Sequence, residues 1–418
     1  MHKFAHLADC HLGANKEPVL QKLEMNAFKT ALDKCIEEEV DFIIISGDLF
    51  HVNIPDMKVT NEAVKKMKEV RDRGIPIYVI YGSHDYSPNE TSMVDVLDSA
   101  GLIKKIVKVE EKEGGLKLEF FTDPKTSAKL AGISARKAGL EKNYFEILDR
   151  ESLEKENGFK IFVFHSAITE LKPEYLAEME SIPVSLLPRG FDYYAGGHIH
   201  QHANIRLPGY ERIVYPGPLF AGYPRDLELS AKGEKRGFYI ISFDEKVRDI
   251  KFVDISFYDS LYVEYDASNK NSIQAQKELL DKLRKIDVGN KLVVLRIKGE
   301  LSGGKTSDIS STEIRNLLLQ KGAIYVSINR YGLTSKEYAM VKVVGEDIPA
   351  IESKLFTENI GAVKVSNETL KGERGVRLAT ELLKVLRREP KPNEAKKDYE
   401  EQIRRDALEM LQLKEVSG

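Results

Sequence analysis

Short histidine and aspartate motifs that follow apolar runs are the feature that most constrains the fold of this chain. They occur in order along the first half, as Asp9-Cys10-His11, Gly47-Asp48, Gly82-Ser83-His84-Asp85, His165 and Gly197-His198-Ile199-His200. Each motif comes after a run that is typical of a buried strand. Because ligand sites in open α/β sheets form beyond the carboxyl ends of the strands, the pattern predicts that these motifs meet in one site.

The sequence between the motifs alternates between strand and helix patterns. We expect strands over Lys3–Ala8, Phe42–Ile45, Ile75–Tyr81, Lys160–Phe164, Tyr193–Gly196, Gly237–Phe243 and Lys251–Phe257. We expect helices over Leu20–Glu38, Met57–Arg73 and Ser92–Ala100. Strands and helices in alternation with short connections predict a layered α/β domain, which we place at residues 1–258.

A second, smaller α/β unit is predicted for residues 259–345. Its strands are expected over Leu261–Tyr265, Lys291–Ile297 and Ala323–Ile328, and its helices over Asn271–Ile286 and Ser310–Gln320. Ser310 and Glu313 form a capping-box pattern at the start of the second helix. The pattern is unclear after this unit, and residues 346–372 are assigned to a linker region.

The last part of the chain, residues 373–418, predicts two amphipathic helices. Apolar residues recur at helical spacing twice, as Val376, Ala379, Leu383 and Leu386, and as Tyr399, Ile403, Ala407 and Met410. The charged, proline-containing segment 387–397 (RREPKPNEAKK) separates them. Such a hairpin either packs on the preceding domain or docks on a partner protein, and the sequence alone leaves both open.

Composition excludes several classes of protein. With 63 Lys and Arg against 66 Asp and Glu, the net charge of −3 excludes a uniformly basic nucleic-acid binder but allows a local basic groove. Cys10 and Cys35 are the two cysteines, too few for a disulfide scaffold, and predict a reducing, cytoplasmic environment. No apolar run approaches the roughly 20 residues that a membrane-spanning helix needs, and the N-terminus does not resemble a secretory signal.

The residue types in the motifs point to a pair of metal ions. All nine histidines lie before residue 203, so the site is expected in the first half. Residues i and i+2 of an extended segment face the same side, so Asp9 can join His11 and His198 can join His200. Oxygen and imidazole ligands without thiolates suit Mn, Fe or Zn. Two aspartates and four histidines exceed the needs of one ion and suit two ions bridged by Asp48, an arrangement that displaces oxygen from phosphorus.

These motifs resemble those of the calcineurin-like metallophosphoesterases. More closely, residues 4–13 (FAHLADCHLG), 47–51 (GDLFH), 194–200 (YAGGHIH) and 215–218 (YPGP) are similar to the meiotic recombination eleven (MRE-eleven) family of double-strand-break repair nucleases, with SbcD as its bacterial counterpart. The resemblance implies a β-sandwich flanked by helices, a small α/β capping domain that contacts DNA, and a C-terminal helix-loop-helix that binds an ATPase partner.

The resemblance also implies a role for each site residue. One manganese would be held by Asp9, His11, Asp48 and His200, and the other by Asp48, Ser83, His165 and His198. Mg²⁺ or another divalent ion is the alternative to Mn²⁺. Three further residues match catalytic positions: His84 the proton donor or transition-state histidine, Asp85 the residue that orients it, and His51 a residue that guides the DNA phosphate.

One of these positions departs from the family pattern. Ser83 stands where the family has a metal-binding asparagine. Serine is shorter by about one carbonyl group, and its neutral hydroxyl is a weaker ligand. A bridging water or a more weakly bound second ion would follow.

The function implied is a Mn²⁺-dependent DNA nuclease that acts in repair of double-strand breaks and DNA damage. It would be a 3′→5′ double-strand exonuclease and a single-strand endonuclease, a DNA-associated prokaryotic cytoplasmic protein, a homodimer, and a partner of an SMC-like ABC ATPase. One alternative is a DNA- and ATPase-binding scaffold with weak nuclease activity because of Ser83. A second is a phosphomonoesterase or small-molecule phosphodiesterase built on the same metal core.

Overall fold

The computed structural model describes residues 1–87, 91–112, 115–136, 139–256, 258–336, 352–353, 356–357, 360, 370–388 and 396–411. These residues fall into two compact units, Met1–Thr334 and Ser335–Gly418. Most of the predicted linker region 346–372 lies outside the described residues, as do residues 337–345 and 412–418. The predicted boundary at 258/259 stays a prediction.

The strands, in chain order, are β1 His2–Leu7, β2 Phe42–Ser46, β3 Ile77–Ile80, β4 Lys104–Lys105, β5 Val109–Lys112, β6 Gly115–Leu118, β7 Phe121–Thr122, β8 Lys129–Ile133, β9 Lys160–His165, β10 Tyr193–Gly197, β11 Ala203–Leu207, β12 Tyr210–Tyr215, β13 Gly237–Phe243, β14 Val247–Asp254, β15 Asp259–Asp266, β16 Lys291–Leu301, β17 Tyr325–Asn329 and β18 Leu333–Ser335. The helices are α1 Pro18–Glu37, α2 Met57–Asp72, α3 Met93–Ser99, α4 Glu141–Glu146, α5 Arg150–Glu154, α6 Pro224–Ala231, α7 Ser272–Arg284, α8 Ser311–Gln320, α9 Gly372–Leu386 and α10 Lys396–Met410.

Two six-stranded sheets form the centre of the first unit, in the orders β14-β13-β1-β2-β3-β4 and β11-β12-β10-β9-β8-β7. Strands β1 to β4 are parallel to one another, and so are β8, β9, β10 and β12. Parallel neighbours end at the same edge of a sheet, so the loops after β1, β2 and β3 meet, as do those after β9 and β10. This placement confirms the predicted α/β class.

The two sheets pack face to face because each central strand is apolar on both sides. Phe42 and Ile44 of β2 face the second sheet, in a core with Ile161 and Val163 of β9. The intervening Ile43 and Ile45 face α1 and α2, in a separate core. Since side chains alternate along a strand, a continuous apolar run fills two cores at once. The result is the expected sandwich flanked by helices.

Most of the predicted elements are present, with small shifts at their ends. The strand expected over Lys251–Phe257 runs instead over Val247–Asp254, because its first half is polar and pairs with β13 along an exposed edge. Strands β4 to β8, β11, β12 and β18 were not predicted. These strands are short, or their exposed face carries polar side chains, so they lack the continuous apolar run of β2.

A third sheet, in the order β15-β16-β17, holds the strands of the predicted capping unit and packs on α7 and α8. Val293, Leu295 and Ile297 of β16 face those helices, whereas Leu292 and Val294 face the core that contains α1. The capping sheet is therefore joined to the first sheet by apolar packing. The Ser310 hydroxyl accepts from Glu313 N at 3.2 Å, as the capping-box pattern predicts.

The second unit contains the two helices predicted from the tail. Arg388, just after α9, lies 2.9 Å from the carboxylate of Asp406 on α10, and its carbonyl accepts from the Tyr399 hydroxyl at 2.5 Å. These contacts hold α9 and α10 together as a hairpin. Among the described helices of both units, none is long and apolar enough to cross a membrane.

Candidate metal centre and active site

The predicted motifs lie at the ends of β1, β2, β3, β9 and β10 and converge on one site. Backbone hydrogen bonds join the loops: Asp9 N donates to Gly47 O at 3.1 Å and His11 N to Asp48 O at 2.9 Å. Across the two sheets, His198 N donates to both carboxylate oxygens of Asp9, at 3.0 and 3.1 Å. Hydrogen bonds within the protein therefore hold these loops in place without a bound ligand.

Three groups of side chains among the described residues of this site have ligand atoms close enough to hold a metal ion: His11 with His51 and His84, and two that match the predicted ligands. Of these two, Asp9, His11 and His200 form the first, and Asp9, Asp48 and His165 form the second, with ligand atoms within 4.8 Å of one another in each. In the first, His11 Nε2 is 3.1 Å from His200 Nε2. In the second, His165 Nε2 is 3.2 Å from Asp48 Oδ2 and 3.9 Å from Asp9 Oδ1. Asp9 belongs to both groups, and Asp48 Oδ2 of the second lies 3.7 Å from His11 Nε2 of the first.

The donor atoms fit metal ions. His165 Nδ1 donates to the carbonyl of Ser46 at 2.8 Å, so Nε2 is the ring nitrogen left to bind a metal ion or a proton. That Nε2 is buried and faces the carboxylates of Asp48 and Asp9. A cation between these groups, either a proton or a metal ion, stabilises the arrangement.

The electrostatics of the cluster also favour a positive charge. Burial would lower the pKa of His165, but Asp48 and Asp9 raise it to about 10. Burial raises the pKa of Asp9 to about 6, against the opposing effect of His165. Burial would raise the pKa of Asp48 as well, yet the neighbouring histidines, His165 first, hold it well below its usual range. The carboxylates thus attract a proton where a divalent cation would bind.

The remaining predicted ligands, His198 and Ser83, line the same cavity. The His198 ring lies 5.2 Å from that of His165, and burial lowers the pKa of His198 to about 3, so its imidazole is neutral as a metal ligand must be. His198 belongs to none of the close groups of His, Cys, Asp and Glu side chains found among the described residues.

The backbone of the ligand residues adopts a conformation that was not predicted. Asp9, His11, Asp48 and His198 have φ values of 49°, 44°, 53° and 90°. Residues other than glycine rarely adopt this left-handed conformation because it is sterically strained, and such strained residues tend to occur at functional sites. Asp9 and His11 do share the site, while Cys10 is buried in the core, but they do so through tight turns and not through extended strand geometry.

His84 lies beside the metal groups with one ring nitrogen fixed. Its Nδ1 donates to the carbonyl of His51 at 2.8 Å, its Nε2 lies 3.0 Å from the hydroxyl of Tyr223, and its backbone N donates to Asp48 Oδ1 at 2.8 Å. The His51 ring stacks on it with centroids 4.7 Å apart. The backbone of His51 therefore sets the direction of the His84 ring.

Asp85 does not contact the His84 ring, contrary to the expectation that it orients it. Its carboxylate accepts from three backbone amides, Leu49 N and Gly82 N at 3.1 Å and Phe50 N at 3.0 Å. Burial raises the pKa of Asp85 to about 6. The side chain thus ties the loop after β3 to the loop after β2, and it positions His84 only through the backbone.

Three site residues were missed at the level of sequence, all on or near α6. Asp226 accepts from His200 Nδ1 at 2.9 Å, and Tyr223 precedes α6 with its hydroxyl at His84. Arg236, 1% exposed, donates to the carbonyls of His200 and Asp226, at 2.7 and 3.0 Å. The only sequence signal was Pro224 with Asp226 two residues later, a common helix start that carries no sign of a metal site.

The groups surround an open cavity of about 360 Å³. Its lining includes His11, Asp48, His84 and His200, together with Leu176, Met179 and Arg225. Carboxylate and imidazole groups that can hold metal ions, with a further histidine beside them, are what hydrolysis of a phosphate ester needs.

Comparison with known proteins agrees with this geometry. The model of the calcineurin-like phosphoesterase family matches residues 2–202. The DNA double-strand break repair protein Mre11 of Sulfurisphaera tokodaii is 30% identical over 292 residues, which cover 66% of this chain and 69% of that protein. Mre11 of Archaeoglobus fulgidus is 26% identical over 338 residues, 75% of this chain and 72% of its own length.

A further relative is an uncharacterized metallophosphoesterase, YhaO of Bacillus subtilis, 26% identical over 250 residues, 57% of this chain and 56% of its own. The similarity to Mre11 covers more of both chains and extends past the sandwich into the capping sheet. The protein is therefore a metal-dependent phosphodiesterase of the calcineurin-like phosphoesterases and belongs to the Mre11 family.

Proposed function

We propose that this protein is a DNA nuclease that hydrolyses phosphodiester bonds at double-strand breaks, with two Mn²⁺ ions as its cofactor. The observation that carries the proposal is the pair of carboxylate and imidazole groups that share Asp9 and include Asp48, beside His84, which lines the same cavity. The Mre11 relatives supply the substrate class, since their names describe DNA double-strand break repair.

The proposed ligands are Asp9, His11, Asp48 and His200 for one ion and Asp48, Ser83, His165 and His198 for the other. When bound, such ions activate water and stabilise the charge that develops on the phosphate. Mg²⁺ or another divalent ion would fit the same donors, because oxygen and imidazole ligands do not select Mn²⁺ alone.

The protein's own contribution is to place a proton donor beside the scissile bond. His84 Nδ1 donates to the His51 carbonyl, so Nε2 is the ring nitrogen left to give a proton to the substrate. As the bond between phosphorus and the leaving oxygen breaks, the electron pair stays on that oxygen and the Nε2 proton moves to it. His51 stacks on the donor and is proposed to guide the DNA phosphate.

The finer activities and partners rest on the family resemblance. We infer 3′→5′ double-strand exonuclease and single-strand endonuclease activity, a homodimer, and an SMC-like ABC ATPase that binds the α9–α10 hairpin. The apolar positions of α9 lie on one side of that helix, as a docking face requires. Residues 259–345 are proposed to cap the active site and contact DNA.

Two other functions remain as alternatives, and the assay described below distinguishes them from the nuclease. A phosphatase for small substrates would use the same metal groups but has no need for the capping sheet or the hairpin. A scaffold with weak nuclease activity would follow if Ser83 leaves the second ion poorly held.

The test is degradation of linear and single-stranded DNA with Mn²⁺, beside hydrolysis of a phosphate monoester. Wild type is expected to degrade DNA, and His84→Gln is expected to do so at least about 100-fold more slowly. The matched control, His202→Gln, is expected to degrade DNA as wild type does, because His202 stacks on Phe252 outside the metal groups. Turnover of the monoester without DNA degradation would refute the nuclease proposal. An inert wild type with an active Ser83→Asn variant would favour the scaffold.

A further inference from the structure

Tyr223 contacts the nitrogen of His84 that the proposed reaction uses. Its hydroxyl lies 3.0 Å from His84 Nε2. Because His84 Nδ1 donates to the His51 carbonyl, Nε2 of the neutral ring is an acceptor, and the phenol must be the donor. The two contacts together hold the imidazole at both of its nitrogens.

Tyr223 is itself fixed by the metal site. It stands immediately before Pro224, the first residue of α6, and its backbone N donates to Asp226 Oδ2 at 3.1 Å. The same carboxylate oxygen accepts from His200 Nδ1. The phenol ring lies against the rings of His11 and His200, with centroids 5.6 and 5.5 Å away. The position of the phenol is thus tied to two proposed ligands of one ion.

We propose that Tyr223 is a positioning residue that holds His84 Nε2 toward the scissile bond. The inference rests on the proposed phosphodiester hydrolysis and adds a residue to it. A phenol can both donate and accept a hydrogen bond. Its hydroxyl contacts the ring at Nε2 while the His51 carbonyl contacts it at Nδ1, so the ring keeps one direction. Phenylalanine fills the same space but lacks the hydroxyl.

The variant Tyr223→Phe separates positioning from a structural role. For DNA, whose leaving oxygen is a poor leaving group, kcat is expected to fall about tenfold, part of the 10²- to 10⁴-fold that a general acid contributes. For bis-p-nitrophenyl phosphate, whose leaving group departs without a proton, kcat is expected to change less than about twofold. KM for DNA and the affinity for Mn²⁺ by calorimetry are expected to be unchanged. The control is Tyr210→Phe, which removes a phenol of the second sheet that donates to the Leu187 carbonyl, outside the cavity lining.

A double variant tests whether Tyr223 acts through His84. In the His84→Gln background, Tyr223→Phe is expected to lower kcat less than about twofold, because residues that act as one unit are not additive. A full tenfold loss in that background, or an equal loss on both substrates, would overturn the inference. So would a Tyr223→Phe variant as active as wild type on DNA. If wild type itself fails to degrade DNA, the proposed function fails instead.

Discussion

His200 Nδ1 lies 2.9 Å from Asp226 Oδ2, so a carboxylate on α6 orients a proposed metal ligand that follows β10. Burial would lower the pKa of His200, but the bond to Asp226 raises it above its ordinary value. A ligating histidine commonly donates its other nitrogen to a carboxylate, which fixes the tautomer and strengthens the ligand. Asp226 thereby leaves Nε2 of His200 directed at the first metal group.

Asp226→Asn is expected to weaken binding of the first Mn²⁺ by about 10- to 100-fold, the usual effect of losing such a partner. Calorimetric titration of the metal-free protein measures this directly. The control Asp244→Asn removes an exposed carboxylate that pairs with Arg248 and is expected to bind metal as wild type does. Unchanged Mn²⁺ affinity in Asp226→Asn would show that Asp226 only begins α6.

A close packing of backbone and carboxylate makes Gly82 sensitive to any side chain. A Cβ at Gly82 would lie 2.0 Å from Asp48 Oδ1 and 2.2 Å from Asp48 N. Gly82→Ala is expected to displace Asp48, lower nuclease activity by at least about 100-fold and lower the free energy of unfolding by about 2 kcal/mol. Activity assays and urea titration check both effects.

The matched control for this prediction is Gly289→Ala. The nearest atom to a Cβ there is Asp287 Oδ1 at 3.5 Å, an ordinary contact. We expect this variant to unfold and to degrade DNA as wild type does. A Gly82→Ala protein with wild-type activity would mean that the loop after β3 moves away without disturbing Asp48.

Ser83 is predicted to limit the strength of the proposed second metal site. It lines the cavity together with Asp48 and His198. Ser83→Asn extends an amide oxygen into the cavity and is expected to tighten the weaker Mn²⁺ by roughly tenfold, equivalent to about 1.4 kcal/mol. Metal titration should then show two ions per chain at lower Mn²⁺ concentration.

Ser83→Ala serves as the comparison, since it removes the hydroxyl and adds no ligand. If the serine hydroxyl contributes little, Ser83→Ala and wild type will bind the second ion alike. A loss of the second ion in Ser83→Ala would instead show that the hydroxyl is itself a ligand, and the predicted weakness would be wrong.

The sequence predicts a site residue when that residue directly follows a strand that can be recognised from its apolar run. Asp48 follows five buried residues of β2, and His165 ends the buried β9, so both positions were readable from apolar runs. Asp226 and Arg236 meet His200 only because the chain returns after β12 and β13, and no local pattern records that contact. Long-range hydrogen bonds of this kind depend on tertiary placement, which periodicity does not report.

A histidine outside the motifs makes the stability of the sandwich depend on pH. His6 is fully buried, with Nδ1 2.9 Å from the Tyr193 hydroxyl and Nε2 2.8 Å from the Ser46 hydroxyl. Burial lowers the pKa of His6 from 6.5 to about 3. Below pH 6.5 the unfolded chain therefore binds a proton that the folded protein refuses, and stability falls as the pH falls toward 3.

Between pH 7 and pH 5 this effect is expected to remove about 2 kcal/mol from the free energy of unfolding. His6→Gln keeps a side chain that can bond both hydroxyls but does not titrate. Urea titrations, with a metal chelator present, give the free energy of unfolding of both proteins. The difference between wild type and His6→Gln should change by about 2 kcal/mol as the pH is lowered from 7 to 5, because only wild type loses this stability. Parallel curves over that range would show that His6 is protonated in the folded state and that its burial is relieved by water.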